Sequence, residues 1–410
     1  MKKCLTFLMA GGKGERLFPL TKDRAKPAVP FGGIYRIVDF TLSNCINSGI
    51  RRIYILVQYK SMSLARHIRM GWNILNAEVE EFIDVLPAQQ RIDEHWYQGT
   101  ADAIYQNLYS IQSENPDQVL ILAGDHIYKM NYRLMLDYHR DSKADVTIGV
   151  VPVPVEEAGD VGVIRVDAQN TVIGFEEKPK EKEARTIPGD PKHVYGSMGI
   201  YIFNRRVLEE ELSEDAKKIT AHDFGKDIIP QIIQKAKRRI MAFQFVDMNK
   251  KEGLYWRDVG TLDAYYESNI DLVQVTPHFN IYDREWPIRT YQLQYPPAKF
   301  VFNQKSDGRR GVAVDSLISD GCIISGGSVK RSILSPNVRV HSFSDVEDSL
   351  LFEGVEVGRY AKVKGAIIDK HAKIMPNATV GYDKELDRKR FTVTPKGIVV
   401  VEKGTVVQAV

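Results

Sequence analysis

Apolar and polar positions alternate in two regimes along the first two thirds of the chain. Cys4–Ala10 is a continuous apolar run that stops at Gly11-Gly12, which predicts a buried strand entering a tight turn. Leu42, Cys45 and Ile46 recur at i, i+3 and i+4, with Gly49 behind them as a C-cap, and predict a helix. Ile53–Val57 reads as the next strand. Ile104, Leu108 and Ile111 predict one further helix, and Val119–Ala123 a buried strand that closes on Gly124-Asp125. Phe224, Ile228, Ile232 and Ala236 predict a later helix with Asp223 as its cap. Helices set between wholly apolar strands predict a mostly parallel sheet covered on both faces. Val163–Val166 and Thr171–Glu176, joined by Asp167–Asn170, predict a hairpin inserted into it.

After about residue 275 the period changes. Pro277, Pro287, Pro296 and Pro297 mark an extended connecting segment. Beyond it, Ile323, Val340, Val357 and Ile374 are spaced by 17 residues; so are Val329, Val346, Val363 and Val380, and Leu317, Leu334, Leu351 and Ile368. Three aliphatic registers with one period predict a three-sided parallel β-helix, one coil per repeat, with these side chains inside. Gly321, Gly327, Pro336, Gly354, Gly358 and Pro376 fall where its corners belong. The predicted division is therefore a first domain over 1–275, a linker over 276–305 and a β-helix over 306–410.

Composition narrows the class without naming a chemistry. The 410 residues are 43% hydrophobic and 27% charged, which excludes wholesale disorder. A net charge of +3 argues against nucleic acid or an anionic membrane as the main partner. The longest apolar runs have strand length, so no membrane span is expected. Residues 1–10 begin like a signal peptide, but the apolar run breaks at Gly-Gly-Lys-Gly and reads better as a strand. Cys4, Cys45 and Cys322 have neither disulfide nor metal spacing, and a reducing cytoplasm is the expected location.

Candidate chemistry begins at Gly11-Gly-Lys-Gly-Glu-Arg16. A strand running into these glycines lets backbone amides approach phosphate oxygens, and Arg16 with Lys26 makes the turn a cationic cradle. Neither a P-loop nor G-x-G-x-x-G is present, since the required Lys-Ser/Thr and third glycine are missing. Asp125 follows an apolar strand directly, which places it at the carboxyl end of the sheet, where ligands bind. Asp258, just before a predicted helix at Leu262–Val273, supplies a second acid for a phosphate-bound metal. By itself, Asp125 would read better as a cap for the segment after Lys129; the second acid tips the reading to a metal site. Glu177-Lys178 ends the hairpin before Pro179, as an anion site or as solvated surface. Gly99-Thr-Ala-Asp-Ala103 offers free amides to a ligand or is a simple cap. His126 lacks a partner at metal-ligand spacing, and no Gly-x-Ser-x-Gly supports nucleophilic hydrolysis.

Together these segments resemble the sugar-nucleotide pyrophosphorylases, and within them the bacterial glucose-1-phosphate adenylyltransferase (ADP-glucose pyrophosphorylase) family. The resemblance spans nearly the whole chain. It rests on GGKGERLFPLT, RAKPAVPFGG, Asp39–Arg52, Pro87-Ala-Gln-Gln-Arg91, Trp96–Asp102, Ala123–Tyr128, Glu176–Pro179, Ser197–Tyr201, His222–Asp227 and Trp256–Thr261. PAQQR, WYQGTADA and AGDHIY favour the adenylyl enzymes over uridylyl or thymidylyl relatives. The resemblance implies a Rossmann-like nucleotidyltransferase domain with a mixed, mostly parallel sheet, followed by a left-handed parallel β-helix used for oligomerisation and regulation. It implies Mg²⁺-dependent conversion of ATP and glucose 1-phosphate to ADP-glucose and pyrophosphate, supplying glycogen or α-glucan synthesis. Arg16, Lys26 and Asp125 would be catalytic, and Asp125 and Asp258 would hold the metal. Gly11, Gly12, Gln58, Gln89, Tyr97 and Gly99 would face the nucleotide. Gly162, Glu177, Lys178, Ser197, Asp223 and Trp256 would face glucose 1-phosphate. Small-molecule allosteric effectors and a homotetramer are also implied. Enteric members carry an activator-contacting Lys at the position of Asp23, so their activator does not carry over. Three rivals stand beside this reading: a UTP or dTTP enzyme, a hexapeptide acyltransferase, and a non-catalytic paralogue. The last should have lost one of Arg16, Asp125, Lys178 or Asp258, and all four are present.

Overall fold

The computed structural model describes residues 3–88, 96–180, 185–304 and 306–410. Its first half is built on one mixed sheet. Apart from a two-residue hairpin, Pro30–Phe31 with Tyr35–Arg36, the strands in chain order are β1 (Cys4–Met9), β2 (Arg52–Val57), β3 (Phe82–Pro87), β4 (Gln118–Ala123), a short β5 (His126–Tyr128), β6 (Val146–Pro154), β7 (Gly162–Val166), β8 (Val172–Glu177), β9 (His193–Asn204), β10 (Ile240–Gln244) and a short β11 (Trp256–Asp258). All but β5 and β11 lie in the sheet, in the order β8–β7–β9–β4–β1–β2–β3, with β6 pairing β9 and β10. The β4–β1–β2–β3 stretch is parallel. The hairpin β7–β8 is antiparallel and joins through β9, as its pattern predicts.

Burial on both faces explains the continuous apolar runs. Along β1, Leu5 and Phe7 enter one core and Cys4 and Leu8 the other; in β4, Val119 and Ile121 face Leu120 and Leu122 in the same way. The helix α1 (Ile37–Asn47) ends as expected. Gly49 takes φ +77°, and Ile50 N–H donates to the Cys45 carbonyl at 2.9 Å, closing a Schellman turn.

The helix expected through Ile104, Leu108 and Ile111 is broken. It forms two pieces, Thr100–Tyr105 and Leu108–Glu114, because Asn107 turns its side-chain amide to the Ala103 carbonyl (2.8 Å) and the Tyr97 hydroxyl (3.0 Å). The helix expected from Phe224 opens as a wide π turn, Phe224–Ile228, before Ile229–Lys235. Asp223 caps it, accepting from the amides of Gly225 (2.9 Å) and Lys226 (3.1 Å).

The C-terminal part stacks its strands into three separate sheets, two of which are parallel throughout; the third adds one short antiparallel strand at its end. Val329, Val346, Val363 and Val380 stack directly above one another. The first coil differs from the 17-residue expectation. Ile324, not Ile323, pairs with Val340, and Ile318, not Leu317, pairs with Leu334. That coil is one residue shorter, which turns Ile323 and Leu317 out of the inward register. The first rung strand, Lys299–Val301, falls inside the segment 276–305. Corners take the left-handed conformation: Gly321, Asn337, Gly354 and His371 repeat it on one edge, and Gly326, Phe343, Tyr360 and Asn377 on another.

The β-helix packs against the first domain through its outer face. Ile333, Leu350, Ile367 and Val400 share a core with Leu17, Phe31, Phe40 and Tyr265. A buried ion pair crosses the same boundary: Arg24 Nη2 donates to Asp369 Oδ1 at 2.9 Å, with side chains only 5% and 3% exposed.

Candidate active site

The parallel strands deliver the site. β1 ends at Met9 and runs into Gly11–Gly14; its neighbour β4 ends at Ala123 and runs into Asp125; β2 on the other side ends beside Gln58. All three meet at the carboxyl edge of the sheet. The glycines there differ in their need for space. Gly14 has φ +66°, and a Cβ on it would lie 3.0 Å from the Lys26 side chain. Around Gly12, by contrast, a Cβ would meet nothing within 4 Å, so this glycine is not required for space.

A second structural unit brings in the other acid. β5 and β11 pair antiparallel, with His126 opposite Asp258 and Tyr128 opposite Trp256. Asp125 and Asp258, 133 positions apart in the chain, thereby converge on one cation. Lys26 Nζ donates to Asp125 Oδ2 and to Asp258 Oδ1, each at 2.9 Å, and its side chain is 9% exposed. Arg16 Nη2 stands 3.8 Å from Asp258 Oδ2 with its side chain 66% exposed, free to reach an added anion.

Electrostatics keep Asp125 and Lys26 ionised. Burial would raise the Asp125 pKa, but the His126 ring, the Lys26 ammonium and a backbone hydrogen bond outweigh it and hold the carboxyl at about 2. Burial disfavours the Lys26 ammonium, yet the two carboxylates more than compensate and its pKa lies above the usual value. Ligand atoms of Asp125, His126 and Asp258 all lie within 4.8 Å of one another. Two carboxylates gathered around a cation, with one imidazole beside them, are a donor set that suits a divalent metal. His126 therefore does have partners. They come from across a strand pair rather than from local spacing, which is why the sequence pattern concealed them. Asp125 is not a helix cap; Asn131 caps the helix Tyr132–Asp141 instead.

Two cavities adjoin this cluster. One, of about 520 Å³, is lined by Gly11, Gly12, Gly14, Arg16, Lys26 and Asp125. The other, of about 290 Å³, holds all six residues expected to face the sugar phosphate: Gly162, Glu177, Lys178, Ser197, Asp223 and Trp256. Lys178 takes φ +48°, an uncommon conformation for a side-chain-bearing residue, at the turn after β8. Trp256 packs on His126 with ring centroids 4.9 Å apart.

The expected nucleotide-side residues are less uniformly placed. Gln58 packs beside Gly11, and its amide reaches the Tyr97 carbonyl at 3.4 Å. The Tyr97 hydroxyl accepts from Asn107 Nδ2, and the ring packs on a core cluster. Gly99 lines neither cavity, whereas its neighbour Thr100 lines both. Gln89 lies outside the described residues. Thr100 lies within a motif that the sequence singles out, but only the fold shows that it lines both cavities.

A third cavity, of about 690 Å³, lies between the first domain and the β-helix. Its lining includes Arg24, Arg36, Arg66, Lys370, His371 and Lys403, together with Asp23.

Comparison with known proteins agrees with this architecture. The family pattern "Nucleotidyl transferase" matches residues 5–275, and "GlmU-like, C-terminal hexapeptide" matches residues 296–401. A glucose-1-phosphate adenylyltransferase of Koribacter versatilis is 57% identical over 98% of this chain and 96% of its own length. Proteins of the same name from Rhodopirellula baltica (53% identical; 99% of this chain, 91% of the relative) and Anaeromyxobacter sp. (51%; 98% and 99%) are similar over comparable spans. With near-complete coverage at this identity, and both of its architectural parts matched, the chain belongs to the glucose-1-phosphate adenylyltransferase family of nucleotidyl transferases.

Proposed function

We propose that the chain joins ATP and α-D-glucose 1-phosphate to give ADP-glucose and pyrophosphate. The observation that carries this reading is the Lys26 bridge between Asp125 and Asp258, set beside two adjoining cavities. A phosphate oxygen of glucose 1-phosphate attacks the α-phosphorus of ATP in line, and pyrophosphate leaves. The attacking phosphate is mostly a dianion at neutral pH, since its second pKa is about 6, so no general base is required. The difficulty is charge. A dianion about 4 Å from one α-phosphate charge, at an effective dielectric near 20, meets repulsion of roughly 8 kcal/mol.

The chain's residues answer this from two sides. The amides of Gly11 and Gly12, with Arg16 and Lys26, bind the ATP phosphates; Gln58, Gln89, Tyr97 and Gly99 belong to the nucleotide side. Lys178 neutralises the attacking phosphate, while Glu177, Ser197, Asp223, Gly162 and Trp256 orient the hexose. Asp125 and Asp258 hold the divalent ion, Mg²⁺ in our reading, which when bound supplies further neutralisation of the phosphates. The reactants are then aligned with their charges offset, which is where such sites gain their rate.

Regulation and assembly belong to the same reading. The basic cavity between the domains suits a small anionic effector, and Asp23 on its wall makes it different from the enteric pattern. The β-helix would support a homotetramer. Among the described residues no helix is long and apolar enough to cross a membrane, and we assign the protein to the cytoplasm. We also take 1–275 as the catalytic domain and 306–410 as the β-helix, with 276–305 linking them and adding the first rung strand, Lys299–Val301, near its end. The test is pyrophosphate release from glucose 1-phosphate and Mg²⁺ with ATP, UTP or dTTP in turn. ATP should give the highest kcat/KM; preference for UTP or dTTP would sink the adenylyl assignment.

A further inference from the structure

Among the described residues, three line both substrate cavities, Met9, Thr100 and Ala123, and of these only Thr100 carries a hydrogen-bonding side chain. Its hydroxyl donates to Asp223 Oδ2 at 3.0 Å and accepts from the Phe224 amide at 3.0 Å. What holds Thr100 in place is the turn before Asp223. The His222 carbonyl accepts from the amides of Ala101 (2.8 Å) and Asp102 (3.3 Å), and so grips the start of the helix that Thr100 opens. The approach is so close that a Cβ on Gly99 would lie 2.2 Å from the Ala221 carbonyl oxygen and 2.3 Å from that of His222.

That turn is not relaxed. His222 sits at φ +51°, a left-handed conformation that an L side chain seldom adopts without outside restraint. The restraint is visible. His222 Nδ1 donates to Asp215 Oδ2 at 2.7 Å, and Asp215, nearly fully buried at the end of the helix Arg205–Asp215, also accepts from Thr220 Oγ1 at 3.0 Å. Thr220 Oγ1 in turn accepts from the His222 amide at 3.1 Å.

We infer that His222 is a positioning residue for the transfer step: Asp215 holds its ring, the ring holds the left-handed turn, and the turn's carbonyl sets Thr100 between the two substrates. This rests on the reading of the two cavities as nucleotide and sugar-phosphate sites. Displacing a wall shared by both reactants disturbs their mutual alignment more than the affinity for either, so the loss falls on kcat.

The test measures kcat and both KM values for wild type, His222→Ala, His222→Asn, Thr100→Val and the double variant His222→Ala/Thr100→Val, well below each melting temperature. His222→Ala should lose about 10-fold in kcat with both KM values within about threefold of wild type. Asn tolerates left-handed backbone and keeps an N–H for Asp215, so His222→Asn should recover to within about threefold. The double variant should be no slower than Thr100→Val, because His222 acts through Thr100. Losses that multiply in the double variant, a change confined to one KM, or a lowered melting temperature with unchanged kcat would each overturn the inference. Failure of the underlying reading looks different: wild type itself would then prefer another nucleotide, and the same cycle would be run with that substrate pair.

Discussion

Replacing Asp125 by Asn deletes one of the two negative charges that meet Lys26 while keeping a side chain of the same shape. The structure says that folding should barely notice. Asp125 is about a third exposed, and its pKa moves from 3.8 to about 2. That shift corresponds to roughly 2 kcal/mol before solvent screening and about 1 kcal/mol after it. Lys26 also keeps its bond to Asp258 and can donate to the new amide oxygen, so the melting temperature should fall by no more than a few degrees. Catalysis should respond very differently. In the proposed mechanism the lost carboxylate is half of the acid pair that would face the reacting phosphates, and loss of one preorganised electrostatic contact of this kind costs about 10²–10³ in kcat. The assay is steady-state pyrophosphate release at saturating ATP, glucose 1-phosphate and Mg²⁺, paired with a thermal melt of the same sample. Near-normal turnover would remove Asp125 from the mechanism. A melting drop of more than about 10 °C would show instead that the residue serves the fold.

Three other outcomes are expected. Lys178→Ala should raise KM for glucose 1-phosphate with little change in KM for ATP; movement of the ATP value alone would place Lys178 on the wrong substrate. Asp125 has a depressed pKa, so its stabilising contribution is full above about pH 4 and lost as pH falls toward 2; Lys26 has a raised pKa, so its contribution is full below its usual value and lost only above it. Neither changes charge between about pH 5 and 9, so an acid limb of kcat/KM for glucose 1-phosphate should fall near the substrate phosphate's second pKa of about 6. A limb displaced by more than about one unit would contradict the dianion mechanism. Finally, Arg24→Met should strand the buried Asp369 charge and cost about 3–5 kcal/mol, whereas Arg24→Met/Asp369→Leu should recover most of it. Calorimetric melts of the two variants decide; equal losses would mean that the pair's charges were not the issue.

Much of this molecule is written in residue periodicity. A strand buried on both faces must be apolar throughout, so β1 and β4 announce themselves, and the turns that follow them announce the ligand edge of the sheet. A repeating coil must bury one aliphatic per side per turn, so Val329, Val346, Val363 and Val380 declare the β-helix without any contact being known. Residue chemistry at strand ends is enough to single out Arg16, Lys26, Asp125 and Asp258, whereas Lys178 stays open between anion site and solvated surface until the family resemblance gives it a role. The sequence alone thus determined the architecture and the candidates, because both depend on local spacing and side-chain type. What it left open depends on distant groups meeting. A one-residue shortening of the first coil is invisible until Ile324 and Ile318 are seen paired with their neighbours. Asn107 breaks its helix only because Tyr97 and Ala103 are there to receive its amide. His126 gains Asp258 through a strand pair spanning more than a hundred residues, and Lys26 becomes a bridge because two turns converge on it. The outer row Ile333, Leu350 and Ile367 reads as surplus apolar surface until the catalytic domain covers it. Those outcomes are set by three-dimensional packing, in which a residue's neighbours are chosen by the whole chain rather than by its place in it.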